Sequence, residues 1–150
     1  MFIGQFEYHL DDKGRVGVPS KFREKLTGKK KEVTLVVARD LDHCLSVYPE
    51  DAWLKVAEKI QSLPRIEEDV QRFVRFFFAT AEECPIDRQG RILLSSDLRR
   101  HANLDREIIF LGQFHKFEIW NRESWRAQET VNASPETQNR MKQLLVKLGF

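Results

Sequence analysis

The sequence predicts an α+β chain, mainly β, in which one short layout is used twice. Three observations lead there. First, "LDDKGRVGVPSKFREKL" aligns with "IDRQGRILLSSDLRRHA" 76 positions later, so that Asp11, Gly14, Arg15, Ser20 and Arg23 fall on Asp87, Gly90, Arg91, Ser96 and Arg99. Second, the shift becomes 72 further on, and Leu45, Val47, Tyr48 and Trp53 fall on Phe117, Ile119, Trp120 and Trp125. Third, most short apolar runs alternate with period two, while helical spacing is confined to a few segments.

Each copy reads as strand, turn, strand, helix, strand, strand. "FEYHL" and "RVGVP" alternate on either side of residues 11–15, which predicts a hairpin there. A three-residue hairpin loop is built as a type I turn followed by a left-handed residue. Asp12, Lys13 and Gly14 fit that pattern, with Gly14 at the left-handed position. Asp11 and Arg15 then face one another across the loop as a candidate cross-strand ion pair, and Asp87 and Arg91 do the same around Gly90. "PSKFREKL" predicts a helix whose first turn holds Pro19, with Phe22 and Leu26 on one edge. The second copy has Ser95 in place of that proline, and Ser95 or Ser96 can cap a helix running through Leu98 to Ala102. "EVTLVVA" with "CLSVYP", and "EIIFLG" with "KFEIWN", then predict two strand pairs.

The four-residue difference between the shifts falls at "GKKK", positions 28–31, which reads as a basic loop. Between the copies, Val70, Phe73, Val74 and Phe77 have helical spacing and predict a packed helix. From Ser134 or Pro135 onward a helix is expected, with Met141, Leu144, Leu145 and Leu148 along one stripe suited to packing or to contact between copies. The expected division is therefore a first module at 5–52, a connecting helical segment at 53–79, a second module at 80–124 and a C-terminal helical tail at 125–150.

Composition narrows the function. The chain has 150 residues, 41% of them hydrophobic, enough for a folded core, and a net charge of only +2. The charge is segregated. Between Lys13 and Lys31 stand eight basic residues against one acid, Glu24, which can build a positive face on a nearly neutral molecule. "RFVRFFFATA" is too short and too charged to span a membrane, and the N-terminus lacks the basic and apolar regions of a signal peptide, so a cytoplasmic location is expected. Cys44 and Cys84 have no CxxC or histidine-pair context, which points to buried reduced thiols rather than a metal site or a disulfide. His9, His43, His101 and His115 are scattered, and no serine elbow or phosphate-binding glycine loop accompanies the twin aspartates. A carboxylate-dyad enzyme is therefore disfavoured, and no cofactor, metal or small-molecule substrate is expected.

The twin D-x-x-G-R units, the "KGR.GVP..FRE.L" run, "ECPIDRQGRILL..DLR..A.L" and "GQFHKFEIW" resemble the MraZ family, whose members are built from two SpoVT/AbrB-type modules. The resemblance covers nearly the whole chain. It implies tandem swapped-hairpin modules that form an intramolecular pseudo-twofold barrel with flanking helices. It also implies a transcriptional regulator, nucleoid-associated, that binds double-stranded DNA at short direct repeats in the promoter of the division and cell-wall gene cluster that includes its own gene. Assembly into a ring of identical subunits is implied as well. A protein-interaction ring or antidote-like partner binder is the other class that such a fold supports.

On that reading Arg15 and Arg91 are candidate DNA contacts, because a guanidinium fork reaches phosphates or guanine edges bidentately; closing the loop is their other possible role. Lys13 and Arg88 at the loop tips are candidate phosphate contacts, and Gly14 and Gly90 let the backbone approach the duplex. Asp11 and Asp87 would repel phosphate and are assigned to orienting the turns. Lys21, Arg23, Arg99 and Arg100 are weaker candidates, since charges on helix surfaces are ordinarily just solvated.

Overall fold

The computed structural model describes residues 1–26 and 32–150, so the basic loop at 28–31 lies outside the described residues. The first half contains β1 (Gln5–His9), β2 (Arg15–Gly17), α1 (Ser20–Leu26), β3 (Thr34–Arg39), β4 (Leu45–Tyr48), α2 (Glu50–Gln61) and α3 (Glu68–Ala79). The second repeats that order with β5 (Glu82–Pro85), β6 (Arg91–Leu93), α4 (Ser96–His101), β7 (Glu107–Gly112), β8 (Phe117–Asn121), α5 (Arg122–Ala133) and α6 (Pro135–Lys147).

The two halves are paired through their strands. A six-stranded antiparallel sheet runs β1-β7-β8-β4-β3-β5, and β2 pairs only with β6 in a separate two-stranded ribbon. Strand β1 thus lies on β7 of the other half, with Phe6 opposite Phe110, and β5 lies on β3, with Cys84 opposite Leu35. The hairpin expected at residues 11–15 is therefore only half correct. Its turn forms, but β1 and β2 part beyond it and find partners elsewhere. The reason is apolar surface. Splitting the strands lets Phe6 pack edge-on to Phe22 and Tyr8 edge-on to Phe110, while Val16 meets Ile92 inside. The ladder ends on β1 and β5 and does not close into a barrel among the described residues.

The main core lies between the sheet, the ribbon and the short helices α1 and α4. Phe22, Leu35, Val37, Leu45, Val47, Ile92, Leu98, Ile108, Phe110, Phe117 and Ile119 fill it. Burying each such side chain contributes on the order of 1.5–3 kcal/mol before the entropy of ordering is set against it. Helices α2 and α3 cover part of the sheet's other face through Trp53, Ile60, Val74 and Phe77, which pack with Ala38 and Tyr48. Helix α5 covers the equivalent patch near Cys44, Ile109, Leu111 and Trp120 with Trp125. Ser95 is the cap of α4, accepting from the Leu98 N–H at 3.2 Å, and Pro19 stands just ahead of α1 rather than in its first turn. Ser134 caps α6 as expected, and the Met141, Leu144, Leu145 and Leu148 stripe faces outward. Both cysteines are free and buried. Burial pushes the Cys84 thiol up to about 12 and raises that of Cys44 still further. Among the described residues no helix is long and apolar enough to cross a membrane.

Candidate nucleic-acid interface

The ribbon is the place where the repeated motifs meet. Its register sets Arg15 opposite Leu93, Val16 opposite Ile92 and Gly17 opposite Arg91. Side chains alternate along a strand, so each three-residue strand divides its residues between two faces. Val16 and Ile92, each 1% exposed, point into the core. Arg15, Gly17, Arg91 and Leu93 therefore share the opposite face, with the two arginines diagonal to one another across the ribbon. The backbone extends this joint at both ends. The Val18 N–H donates to the Gly90 carbonyl at 2.9 Å, and the Leu94 N–H donates to the Gly14 carbonyl at 2.9 Å.

Each ribbon strand is led in by its turn. The Asp11 N–H donates to the Arg15 carbonyl and the Gly14 N–H to the Asp11 carbonyl, while the Asp11 carboxylate accepts from the N–H groups of Lys13 at 2.9 Å and Arg15 at 2.8 Å. Asp87 repeats this with Gln89 and Arg91, each at 2.9 Å. The cross-loop ion pair is present at Asp87, where Arg91 Nε donates at 3.1 Å. At Asp11 the link to Arg15 runs through the backbone N–H. Both carboxyls are held below the ordinary aspartate value, first by the backbone N–H of the following arginine, Arg15 or Arg91, and then by the N–H of Lys13 or Gln89. Lys13 and Arg88 stand exposed at the two turn tips.

Gly14 and Gly90 are buried, which changes the account of their role. They take φ of 87° and 76°, and a Cβ on Gly14 would lie 2.8 Å from Arg99 Nε, while one on Gly90 would lie 2.5 Å from Arg23 Nη1. Arg23 belongs to α1 and Arg99 to α4, and each lies against the glycine turn of the other half while donating to a carbonyl of its own half. Arg23 Nε donates to the Val18 carbonyl at 3.0 Å and Arg99 Nε to the Leu94 carbonyl at 3.1 Å. Sequence reading took Arg23 and Arg99 for surface charges. The one signal that distinguishes them is that they occupy matching positions in the repeat, a property Lys21 and Arg100 lack. Lys21 is exposed on α1, and Arg100 is engaged by Asp97 at 2.9 Å on the surface of α4.

One other cluster of possible ligands exists among the described residues. Asp40, Cys44 and Glu118 place their donor atoms within 4.8 Å of one another. Lys116 already supplies a cation there, 3.6 Å from Asp40 and 3.7 Å from Glu118, and it donates to Ser46 Oγ at 2.9 Å. Burial works against ionisation of Asp40, but the Asp42 N–H, the Ser46 hydroxyl and Lys116 together hold its carboxyl below the ordinary value. This is an internal ion-pair network across β4 and β8.

Comparison with known proteins decides the family. The model described as "MraZ protein, putative antitoxin-like" matches residues 1–76 and again 77–146. The chain belongs to the MraZ family. It is 46% identical over 136 residues to the Transcriptional regulator MraZ of Desulforamulus reducens, covering 91% of this chain and 90% of that protein. It is 42% identical over 150 residues to the protein of the same name from Pediococcus pentosaceus, covering both in full. The Moorella thermoacetica MraZ is 46% identical over 125 residues, covering 83% of this chain and 84% of that protein. Each of the two MraZ matches contains one D-x-x-G-R turn and one ribbon strand, so the outward face is assembled from both.

Proposed function

We propose that this chain is a sequence-specific DNA-binding transcriptional regulator whose reading surface is the β2–β6 ribbon. One observation carries this: Arg15 and Arg91, from separate copies of the repeat, share an outward face that is fixed from behind by Val16 and Ile92. A two-stranded ribbon fits the major groove of B-DNA, where arginine forks pair bidentately with guanine. Lys13 and Arg88 flank the ribbon as phosphate contacts, Asp11 and Asp87 set the turns, and Gly14 and Gly90 let those turns pack tightly. The cross-pairing of β1 with β7 and β3 with β5 supports reading the chain as a swapped-hairpin pseudo-dimer in one polypeptide. Its two arginines would then be quasi-equivalent.

The regulator acts on short direct repeats in the promoter of the division and cell-wall cluster that includes its own gene, from a cytoplasmic, nucleoid-associated pool. A ring of subunits would present the ribbon at regular intervals and gain affinity on repeats through effective concentration. The apolar stripe on α6, with Leu144 55% and Leu148 66% exposed, supports self-association. Titrating fluorescent promoter duplexes carrying one or several repeats tests the proposal. Affinity should rise with repeat number and fall with salt at a slope of about −0.9 per phosphate neutralised. Equal binding to repeat-bearing and scrambled duplexes would refute sequence-specific regulation.

A further inference from the structure

We infer that Leu93 reads DNA beside the arginines, by contact with the 5-methyl group of a thymine; the inference rests on the ribbon being the DNA-reading face. Leu93 is 54% exposed between two wholly buried neighbours, Ile92 and Leu94. Strand alternation explains the burial of those two and sends Leu93 outward, directly opposite Arg15. An isobutyl group left about half exposed on a face otherwise made of two arginines and a glycine is only partly covered by the fold, and its position suits the one apolar feature of the major groove, the thymine methyl. The repeat places Gly17 where the other copy has Leu93. At Gly17 an added Cβ would meet the Tyr8 ring at 3.5 Å, so an aromatic flank borders that end of the ribbon. The two ends are therefore chemically unlike: Arg15 faces a leucine, and Arg91 faces bare backbone.

The test uses the full chain and duplexes it selects from a randomised library. Each thymine is then replaced singly by deoxyuridine, which removes the methyl and leaves pairing and backbone intact. One thymine in the bound element should weaken binding by roughly fourfold when replaced, the worth of one buried methyl. Leu93→Ala should lose a similar factor and become insensitive to that replacement, while Leu93→Ser, which is short and carries no methyl, should do the same if the alanine variant folds poorly. A parent insensitive to every replacement, or a Leu93 variant that keeps the full loss, overturns the inference. Arg15→Ala and Arg91→Ala run alongside. If they too leave binding unchanged, the ribbon is not the reading face and the proposed function falls with it. If they weaken binding while Leu93 shows no coupling, only the role of Leu93 falls.

Discussion

Gly14 and Gly90 join two demands at one atom: a left-handed backbone and a contact with an arginine that leaves no room for a methyl group. Alanine at either position meets both penalties, and each should cost about 1–3 kcal/mol, read as a lower urea midpoint with an unchanged slope. At Gly90 every close atom belongs to the Arg23 side chain, so Arg23→Ala in a Gly90→Ala background should recover part of the loss, whereas at Gly14 the Leu94 carbonyl oxygen, 2.6 Å from the added Cβ, keeps the clash in place whatever happens to Arg99. The aspartates behave differently. Their folded-state values lie below the ordinary 3.8, so each stabilises its turn fully above that value and ceases to as pH falls through the lower, folded value. Stability should therefore be flat from neutrality down to about pH 4 with respect to these groups, and Asp11→Asn with Asp87→Asn should lower that plateau evenly and make the acid limb of a pH-denaturation curve shallower. A loss of stability near pH 6 that the asparagine variants abolish would contradict this.

The ribbon is the element on which the site depends, and its hold on the core is short: one inward residue per strand. Ile92→Ala should cost about 2–4 kcal/mol, the range for a buried aliphatic truncated to alanine, and should release the outward face with it. Ser95→Ala, which removes the cap of α4, should cost about 1 kcal/mol. Both are checked by chemical denaturation. At this scale the sequence was legible where local chemistry decides. The acid, the glycine and the spacing of Asp11 to Arg15 specify the turn, and period two identifies the strands. Partners were not legible, because alternation says which face of a strand is apolar and not which strand it lies beside. The divergence of β1 and β2 was missed for that reason. The roles of Arg23 and Arg99 were missed because an arginine on a short helix looks alike whether it faces water or a neighbouring turn.

Across the whole molecule, the strand order makes each half incomplete without the other. β1 without β7, and β5 without β3, would leave unpaired strands over an open core. Fragments cut at Leu63, between α2 and α3, should each give collapsed amide spectra, and mixing them should restore dispersion. A well-dispersed spectrum from residues 1–62 alone would show that β1–β4 fold without the strands of the second half. The outward face depends on the same interlocking, since one arginine comes from each half. Its role is tested most directly by the affinity of an Arg15→Ala, Arg91→Ala variant for duplex promoter repeats, with far-UV circular dichroism and oligomer mass matched to the parent. Loss of two base-reading forks should weaken binding on the order of a hundredfold or more and erase the preference for repeats over scrambled sequence. A folded double variant that binds the repeats as the parent does would contradict the account and leave the arginines as closers of their own loops.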